Sequence, residues 1–333
     1  DSTDETTAIV RQFAERWNAA SGHSKLSFED EKAELSSSTS GKLSFEQRKA
    51  QLSSKGSGPF IKVIHRENRE GFKGGALREA LRVSDPRAEF VVVFDADFVP
   101  YPDTLELFLK YFQVNSGSLS PKRYALSHIA AVQGYQWHVL NKSENWITRG
   151  VRSEYAGSYV IERSGAELYG GLKQIAGSVY MIRRDLLETF GWGTSITEDF
   201  QLTLKLYGAG YKVVYTPYIQ APAECASTLK RLIRQRMRWA EGHSFNIRKM
   251  FTRLVFGGWS ETVGQGREKI HDLGFMNDES EPHQSSNINH QSKTPEQEDV
   301  WLPSPLTLSE KLEFLYLSPY YLQAAFFLLG TIS

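Results

Sequence analysis

Two aspartates stand at the end of a run of five apolar residues. Phe90–Phe94 lead directly into Asp95 and Asp97, with only Ala96 between the acids. Residues two apart in an extended chain point to the same side. Two carboxylates so placed would repel each other unless a cation lay between them and a ligand. Mg²⁺ and Mn²⁺ bind carboxylate oxygens and commonly bind the phosphates of a ligand as well. The alternative is a pair of acids solvated in a turn.

Two further short segments carry residues suited to phosphate or proton chemistry. Lys73 precedes Gly74 and Gly75 at the start of a predicted helix, where glycines allow close approach and both lysine and helix end favour phosphate. Glu198 and Asp199 fall in the first turn of another predicted helix. Acids at that position can also serve only the electrostatics of the helix.

A third segment, RLIRQRMRWAEGH, predicts a helix with two different faces. Gln235, Arg238 and Trp239 are three and four residues apart and share one face. A tryptophan on the polar face of a helix indicates that its ring stacks on a ligand. The opposite face is apolar, is expected to pack against the core, and comprises Leu229, Ile233, Met237 and Ala240.

The elements that would position these residues alternate between strand and helix. The apolar run 90–94, before the aspartate pair, predicts the most buried strand. A predicted helix at 5–20 places Ile9, Phe13 and Trp17 in one stripe, which is expected to pack on a sheet. The alternation predicts an α/β fold, with a mostly parallel sheet flanked by helices. Ligands of such sheets bind beyond the carboxyl ends of strands. Strands are predicted at 59–66, 89–94, 130–139, 177–184 and 211–218, and helices at 74–84 and 101–113.

An internal repeat interrupts this alternation. The motif KLSFEDEKAELSS at 25–37 recurs as KLSFEQRKAQLSS at 42–54, with Ser- and Gly-rich joints around each copy. Two copies are too few for a solenoid. Residues 22–57 are therefore interpreted as a solvated insertion without chemistry of its own.

We predict three regions along the chain. Residues 1–256 form the catalytic domain, and residues 257–305 form a polar linker with a disordered part. Residues 306–333 form an interfacial segment and the start of a transmembrane helix, because residues 314–333 carry no charge over 20 positions. A buried core helix is the alternative for this tail.

Composition sets broad limits on function. The 333 residues hold 39 Lys plus Arg and 39 Asp plus Glu, so no global charge favours nucleic acid as a partner. A single cysteine, Cys225, excludes an internal disulfide. The basic cluster at 228–253 suggests anionic lipid headgroups or a diphosphate, with a solvated helix face as the alternative.

The motifs in their order resemble one group of enzymes. DSTD (1–4), KGGAL (73–77), DAD (95–97), TED (197–199) and QRMRW (235–239) follow one another. Together they resemble the inverting glycosyltransferases of the cellulose, chitin and hyaluronan synthase group, whose signature is Gln-x-x-Arg-Trp. The resemblance implies a GT-A fold, here truncated at its first strand, and a multi-pass membrane protein with its catalytic domain facing the cytoplasm.

The resemblance also implies a nucleotide-sugar site with a divalent metal ion. Asp1 corresponds to an acid that holds the uracil of a UDP-sugar, and Lys73 to a lysine near the nucleotide. Asp95 lies near the ribose and diphosphate and contributes to the metal site. Asp97 corresponds to the acid that binds the metal, Mg²⁺ or Mn²⁺.

The remaining motif residues are assigned by the resemblance to the acceptor side. Asp199 corresponds to the general base that deprotonates the acceptor hydroxyl. Glu198, Gln235 and Trp239 correspond to acceptor-binding residues, and Arg238 to the residue at the diphosphate.

Three functions remain open from the sequence. The first is processive extension of a polysaccharide from a UDP-hexose, with inversion and with flanking helices in the membrane. The second is a single transfer to a membrane lipid such as ceramide or diacylglycerol. The third is a catalytically inactive scaffold, against which the intact acids at 95, 97 and 199 argue.

Overall fold

A computed structural model describes residues 6–20, 61–66, 68–113, 128–141, 143–261 and 299–318. The chain divides into two compact units, residues 1–89 and 90–333. Four predicted features lie wholly or mostly outside the described residues: Asp1, the insertion 22–57, the polar linker and the transmembrane start.

The first unit contains helices α1 (Thr6–Ala20) and α2 (Phe72–Val83). Within this unit the α1 stripe is exposed, with Ile9 at 64%, Phe13 at 58% and Trp17 at 46%. Residues 61–66, predicted as a strand, are not in a strand in the described chain.

The second unit is built on a four-stranded sheet in the order β1-β3-β2-β4. Strand β3 pairs antiparallel with both β1 and β2, whereas β2 and β4 are parallel. Strands β1, β2 and β4 therefore run in the same direction, as expected for a mostly parallel sheet. Only β2 and β4 pair in parallel, however, because the reversed strand β3 lies between β1 and β2. The residue types of a short apolar strand do not encode its direction, so sequence could not reveal the reversal. The strands are β1 (Phe90–Val93), β2 (Ile129–His138), β3 (Tyr180–Arg183) and β4 (Lys212–Ala223).

The strand before the aspartate pair is not the most buried one. Among the described strands β1 lies at a sheet edge, and only its last residue, Val93, is fully buried. Strand β2 lies between β3 and β4 and is buried at almost every position. Gly134 permits a register irregularity between β2 and β4, because a Cβ there would lie 2.6 Å from the Ile219 carbonyl oxygen.

Helices cover the sheet and form two packed clusters. Phe108 joins Ile129, Val132, Val179 and Met181 in the main apolar core. A second cluster is aromatic and consists of Tyr135, Tyr159 and Tyr215. The helices are α3 (Thr104–Gln113), α4 (Trp146–Ala156), α5 (Arg163–Tyr169), α6 (Arg184–Phe190), α7 (Glu198–Gly208) and α8 (Leu229–Val255), with a π-helix (Gly157–Glu162) joining α4 to α5.

The two described ends of the predicted polar linker form strands. Strands β5 (Gly257–Glu261) and β6 (Asp299–Pro303) pair antiparallel, and helix α9 (Leu308–Leu317) follows. Residues 319–333, which hold most of the predicted transmembrane start, lie outside the described residues.

Membrane-spanning helices were expected from the resemblance. Within the described ranges, no helix combines the length and the apolar character needed to cross a bilayer. For the described residues, the prediction of a multi-pass membrane protein is therefore wrong.

A buried ion pair attaches α9 to the sheet. Lys212 Nζ lies 2.7 Å from Glu310 Oε2, and the two side chains are 9% and 0% exposed. Glu310 also accepts the Thr307 backbone N–H at 2.9 Å, as part of the capping box that begins α9.

Replacement of Glu310 by glutamine should destabilise the protein by about 3 kcal/mol, because it leaves the Lys212 charge buried without its counter-charge. The midpoint of urea unfolding measures this loss. Asp185→Asn is the matched control, since Asp185 pairs with Arg183 on the surface and is 60% exposed; its loss should stay below about 1 kcal/mol. Equal losses from the two variants would contradict the role assigned to burial.

Candidate functional site

The Asp95–Asp97 turn is fixed by contacts from two neighbouring segments. The Asp95 backbone N–H donates to Ser178 Oγ at 2.9 Å. The Phe98 N–H donates to the Asp95 carbonyl at 3.1 Å and closes the turn, and the Val99 N–H donates to the Pro222 carbonyl at the end of β4 at 2.9 Å. Asp95 is half-buried and Asp97 is exposed, so the turn presents a carboxylate to solvent from a fixed backbone.

The two carboxylates fit a divalent cation that also binds phosphate. The described residues contain no group of three His, Cys, Asp or Glu side chains able to enclose a metal ion by themselves. Mg²⁺ and Mn²⁺ commonly use one or two carboxylates and complete their shell with waters and a ligand's phosphates. The donor set of Asp95 and Asp97 therefore suits such an ion together with a diphosphate.

The segment that supports Asp95 carries backbone strain. Val179 has φ 57° and is fully buried, although a β-branched side chain is rarely found in the left-handed region. Two hydrogen bonds hold it there, from the Val179 N–H to the Val93 carbonyl at 2.9 Å and from the Gly134 N–H to the Val179 carbonyl at 2.8 Å. Strain retained by surrounding contacts is typical of functional sites. Sequence reasoning predicted a strand at 177–184 but missed the strain at Val179 and the contact of Ser178 with Asp95.

The acids of α7 lie at the start of that helix, as predicted. Glu198 is 5% exposed, whereas Asp199 is half-buried. Asp199 Oδ1 accepts the Phe200 N–H at 2.8 Å. A negative charge in the first turn is favoured by the helix dipole.

The Tyr180 phenol is affected by the charges of both acidic segments. Burial raises the pKa of Tyr180 well above its ordinary value, a hydrogen bond from the Trp192 indole opposes this, and the charges of Glu198, Asp199 and Asp95 raise it further. The segment 175–178 contacts both acidic segments. Ser178 Oγ accepts the Asp95 N–H, and the Ile175 N–H donates to Thr203 Oγ1 at 2.9 Å, whose hydroxyl donates to the Asp199 carbonyl at 2.9 Å.

Helix α8 does not pack as the sequence predicted. The face expected in the core is exposed, with Leu229 at 49%, Ile233 at 48% and Met237 at 67%. Gln235 and Trp239 are half-buried and Arg238 is exposed. The helix is buried through a face whose residues are four apart: Gly242, Asn246, Met250 and Leu254. The predicted apolar face is wrong, because the residues that contact α7 are small or polar.

Hydrogen bonds attach α8 to the segment that contains Asp199. Asn246 Nδ2 donates to Thr197 Oγ1 at 3.0 Å and to Ser195 Oγ at 3.1 Å. Gly242 lies so close that a Cβ would be 2.5 Å from Thr197 Oγ1. A mid-helix glycine followed four residues later by asparagine was the sequence signal for this contact, and it was overlooked.

His243 brings α8 still closer to the predicted base. Its ring centroid lies 4.3 Å from that of Phe200, the residue after Asp199. Burial lowers the pKa of His243, while the negative charge of Asp199 opposes that change. The helix with Gln235, Arg238 and Trp239 therefore contacts the start of α7.

Lys73 belongs to the first unit. It is the second residue of α2. The space beside Gly75 is filled by the chain itself, since a Cβ there would lie 2.2 Å from the Glu70 carbonyl oxygen and 2.5 Å from Arg66 Nη1. This glycine therefore permits close packing within the unit, and the roles of Lys73 and Asp1 at a nucleotide stay predictions.

His138 ends β2 and contacts the turn through Phe98. Its ring lies 3.9 Å from Tyr155 and 5.8 Å from Phe98, between centroids. Burial is the main cause that lowers the pKa of His138 to about 4, although its hydrogen bond to the Gln136 carbonyl opposes this.

This histidine should make stability depend on pH. The unfolded chain binds the His138 proton near pH 6.5, its ordinary value, and the folded protein only near pH 4. Between these values unfolding takes up a proton, so stability is fully present above pH 6.5 and falls by about 3 kcal/mol as the pH drops to 4. Urea unfolding at pH 7, 5.5 and 4 measures this change. His138→Phe should remove this part of the pH dependence, whereas His128→Gln, at an exposed position, should retain it.

Comparison with known proteins identifies the family. Residues 90–272 match the family described as glycosyl transferase family group 2. The chain belongs to this family. Membership and the mixed α/β sheet confirm the predicted GT-A fold, and the resemblance is confirmed at the level of the glycosyltransferase family.

Curated relatives of this glycosyl transferase family group 2 protein come from plants. Glucomannan 4-beta-mannosyltransferase 2 of Arabidopsis thaliana is 32% identical over 195 residues, which are 57% of this chain and 34% of the relative. Glucomannan 4-beta-mannosyltransferase 1 of Oryza sativa subsp. japonica is also 32% identical, over 57% of this chain and 35% of the relative. The chain thus spans about a third of the length of these relatives.

Among solved structures, a mannosyltransferase from Pyrobaculum calidifontis in complex with GDP-Man and Mn2+ is similar. It is 21% identical, with a TM-score of 0.38, over 57% of this chain and 46% of that chain.

Proposed function

We propose that this protein transfers a hexosyl residue from a nucleoside-diphosphate sugar to a glycan acceptor, with inversion at the anomeric carbon. The observation that carries the proposal is that segment 175–178 joins the two acidic segments by hydrogen bonds, to the Asp95 N–H and to Thr203 of α7, which in turn binds the Asp199 carbonyl. One acidic segment suits a metal-bound diphosphate and the other offers a base. Membership of glycosyl transferase family group 2 supports the same reaction class.

In this proposal Asp199 removes the proton from the acceptor hydroxyl as that oxygen attacks the anomeric carbon. The bond between the anomeric carbon and the diphosphate oxygen breaks in the same step, so no covalent intermediate is needed. Asp97 and Asp95 would hold Mg²⁺ or Mn²⁺, which when bound offsets the negative charge of the leaving diphosphate. The exposed guanidinium of Arg238 adds positive charge for that group.

The acceptor side of the proposed site lies along α8 and the start of α7. Trp239 offers an aromatic face to a sugar ring, and Gln235 and Glu198 offer hydrogen bonds to its hydroxyls. Lys73 and Asp1 are proposed for the nucleotide. Because the plant relatives are named for mannosyl transfer in glucomannan, the first donor to consider is GDP-mannose beside the UDP-hexoses inferred from sequence.

A donor panel with product sizing tests the proposed function. The protein is incubated with GDP-mannose, UDP-glucose or UDP-N-acetylglucosamine, a β-linked oligosaccharide and Mn²⁺. We expect one donor to be consumed and the oligosaccharide to grow by several sugars. A product with a single added sugar would replace processive extension by single transfer, and no consumption of any donor would support the inactive scaffold.

Trp239→Ala tests the acceptor assignment. Loss of an aromatic contact is worth roughly 0.5–1.5 kcal/mol beyond the lost apolar area, so elongation should fall at least 10-fold while donor affinity changes little. Titration of the donor, followed by elongation assays, measures both quantities. A donor affinity that falls as far as elongation would show that Trp239 supports the nucleotide site or the fold instead.

A further inference from the structure

One arginine of α8 lies close to two aromatic rings. The guanidinium carbon of Arg236 is 4.7 Å from the centroid of Trp239 and 5.8 Å from that of Tyr155. Its Nη2 donates to Glu154 Oε2 at 2.7 Å. Arg236 thus connects α8 to α4 through the Glu154 carboxylate and the Tyr155 ring, and it also contacts Trp239 of its own helix.

These contacts suit arginine more than any other residue. A planar guanidinium can stack on an aromatic face while its edge still donates to a carboxylate. Tryptophan gives the strongest cation–π attraction of the aromatic side chains. Arg236 and Trp239 are three residues apart on one helix, which places them on neighbouring positions of one face.

The α4 side of this contact is anchored in the core. The Tyr155 ring lies 3.9 Å from His138 and stacks on Tyr159 at 6.0 Å, within 8° of parallel. Tyr159 is 2% exposed and belongs to the π-helix after α4. A buried aromatic support of this kind leaves Tyr155 little freedom, so Arg236 is held against a fixed surface.

Other basic residues of α8 have a different environment. Arg231, Arg234 and Arg238 are exposed, as in a solvated or anion-binding face. The Arg236 side chain is only 25% exposed. Its contacts therefore indicate a role inside the protein, toward Trp239.

We propose that Arg236, clamped by Glu154 and Tyr155, is a positioning residue that fixes the Trp239 ring for the acceptor sugar. The proposal rests on the proposed function, because it takes Trp239 as an acceptor contact. Arg236 itself touches neither donor nor acceptor in this account.

Kinetics of matched variants provide the first test. Arg236→Met keeps length without charge, and we expect the acceptor KM to rise about 2- to 30-fold, with donor KM and kcat within about 2-fold. Arg236→Lys keeps the cation and should recover part of the loss. In a Trp239→Ala background, Arg236→Met should add no further change. Arg234→Met, on the same helix, is the control. Two results would overturn the proposal: a rise of both donor KM and acceptor KM in Arg236→Met, or an equally large effect of Arg236→Met in the Trp239→Ala background.

Fluorescence tests the positioning without any transfer reaction. Subtracting the Trp239→Phe spectrum isolates the Trp239 signal in each background, and acrylamide quenching reports how accessible that ring is. We expect quenching to increase in Arg236→Met but not in Arg234→Met. Unchanged quenching would overturn the proposal. Quenching could increase in Arg236→Met while Trp239→Ala leaves elongation unchanged. That result would support the positioning by Arg236 and refute the acceptor role of Trp239.

Discussion

Replacement of Asp199 by asparagine is expected to reduce sugar transfer by about 10²-fold or more while donor binding survives. Asparagine keeps the size of the side chain and a carbonyl oxygen to accept the Phe200 N–H, as Asp199 Oδ1 does. It cannot accept a proton at neutral pH, and loss of a general base costs 10²- to 10⁴-fold. Single-turnover transfer rates and donor titration measure the two quantities.

The alternative role of Asp199, helix electrostatics alone, has its own control. Asp185 is also an acid in the first turn of a helix, α6. Asp185→Asn should leave transfer unchanged if only the chemistry at Asp199 matters. Parallel losses of donor binding and transfer in Asp199→Asn would show that Asp199 has a structural role.

Loss of the Asp97 carboxylate is expected to remove the metal dependence of nucleotide binding. Activity should vanish in chelator and return with Mn²⁺ or Mg²⁺. Asp97→Asn should weaken metal-dependent binding of the nucleoside diphosphate at least about 10-fold, since even indirect partners of a metal contribute that much. Calorimetric titration with and without metal measures the change.

A nearby acid provides the control for Asp97. Asp103 is exposed and lies just before α3, so Asp103→Asn should bind nucleotide and metal as the unchanged protein does. Full turnover of the unchanged protein in chelator would refute the metal assignment altogether.

Local signals in the sequence predicted the acidic segments correctly. Asp95 and Asp97 follow a strand, and Glu198 and Asp199 begin a helix, because apolar runs and helix starts depend on neighbouring residues. Their connection through segment 175–178 depends on where β3 lies in the sheet. Tyr180–Arg183 is too short to reveal that it runs antiparallel between β1 and β2.

The packing of α8 shows why periodicity alone was misleading. Leu229, Ile233 and Met237 repeat every four residues and look like a core stripe, yet all three are exposed. The contact with α7 is made instead by Gly242, which allows close approach, and by Asn246, which donates hydrogen bonds. Contacts of this kind depend on the partner surface, which the helix sequence does not contain.

The configuration of the newly formed glycosidic bond is the most direct test of the proposed single displacement. Nucleoside-diphosphate hexoses such as GDP-mannose and UDP-glucose carry the leaving group in the α configuration, so one inversion must give a β linkage. NMR of the product after the first turnovers reads the configuration of the new anomeric centre. A β linkage is the predicted result. An α linkage would require retention, hence a second displacement or an internal return, and would contradict the account.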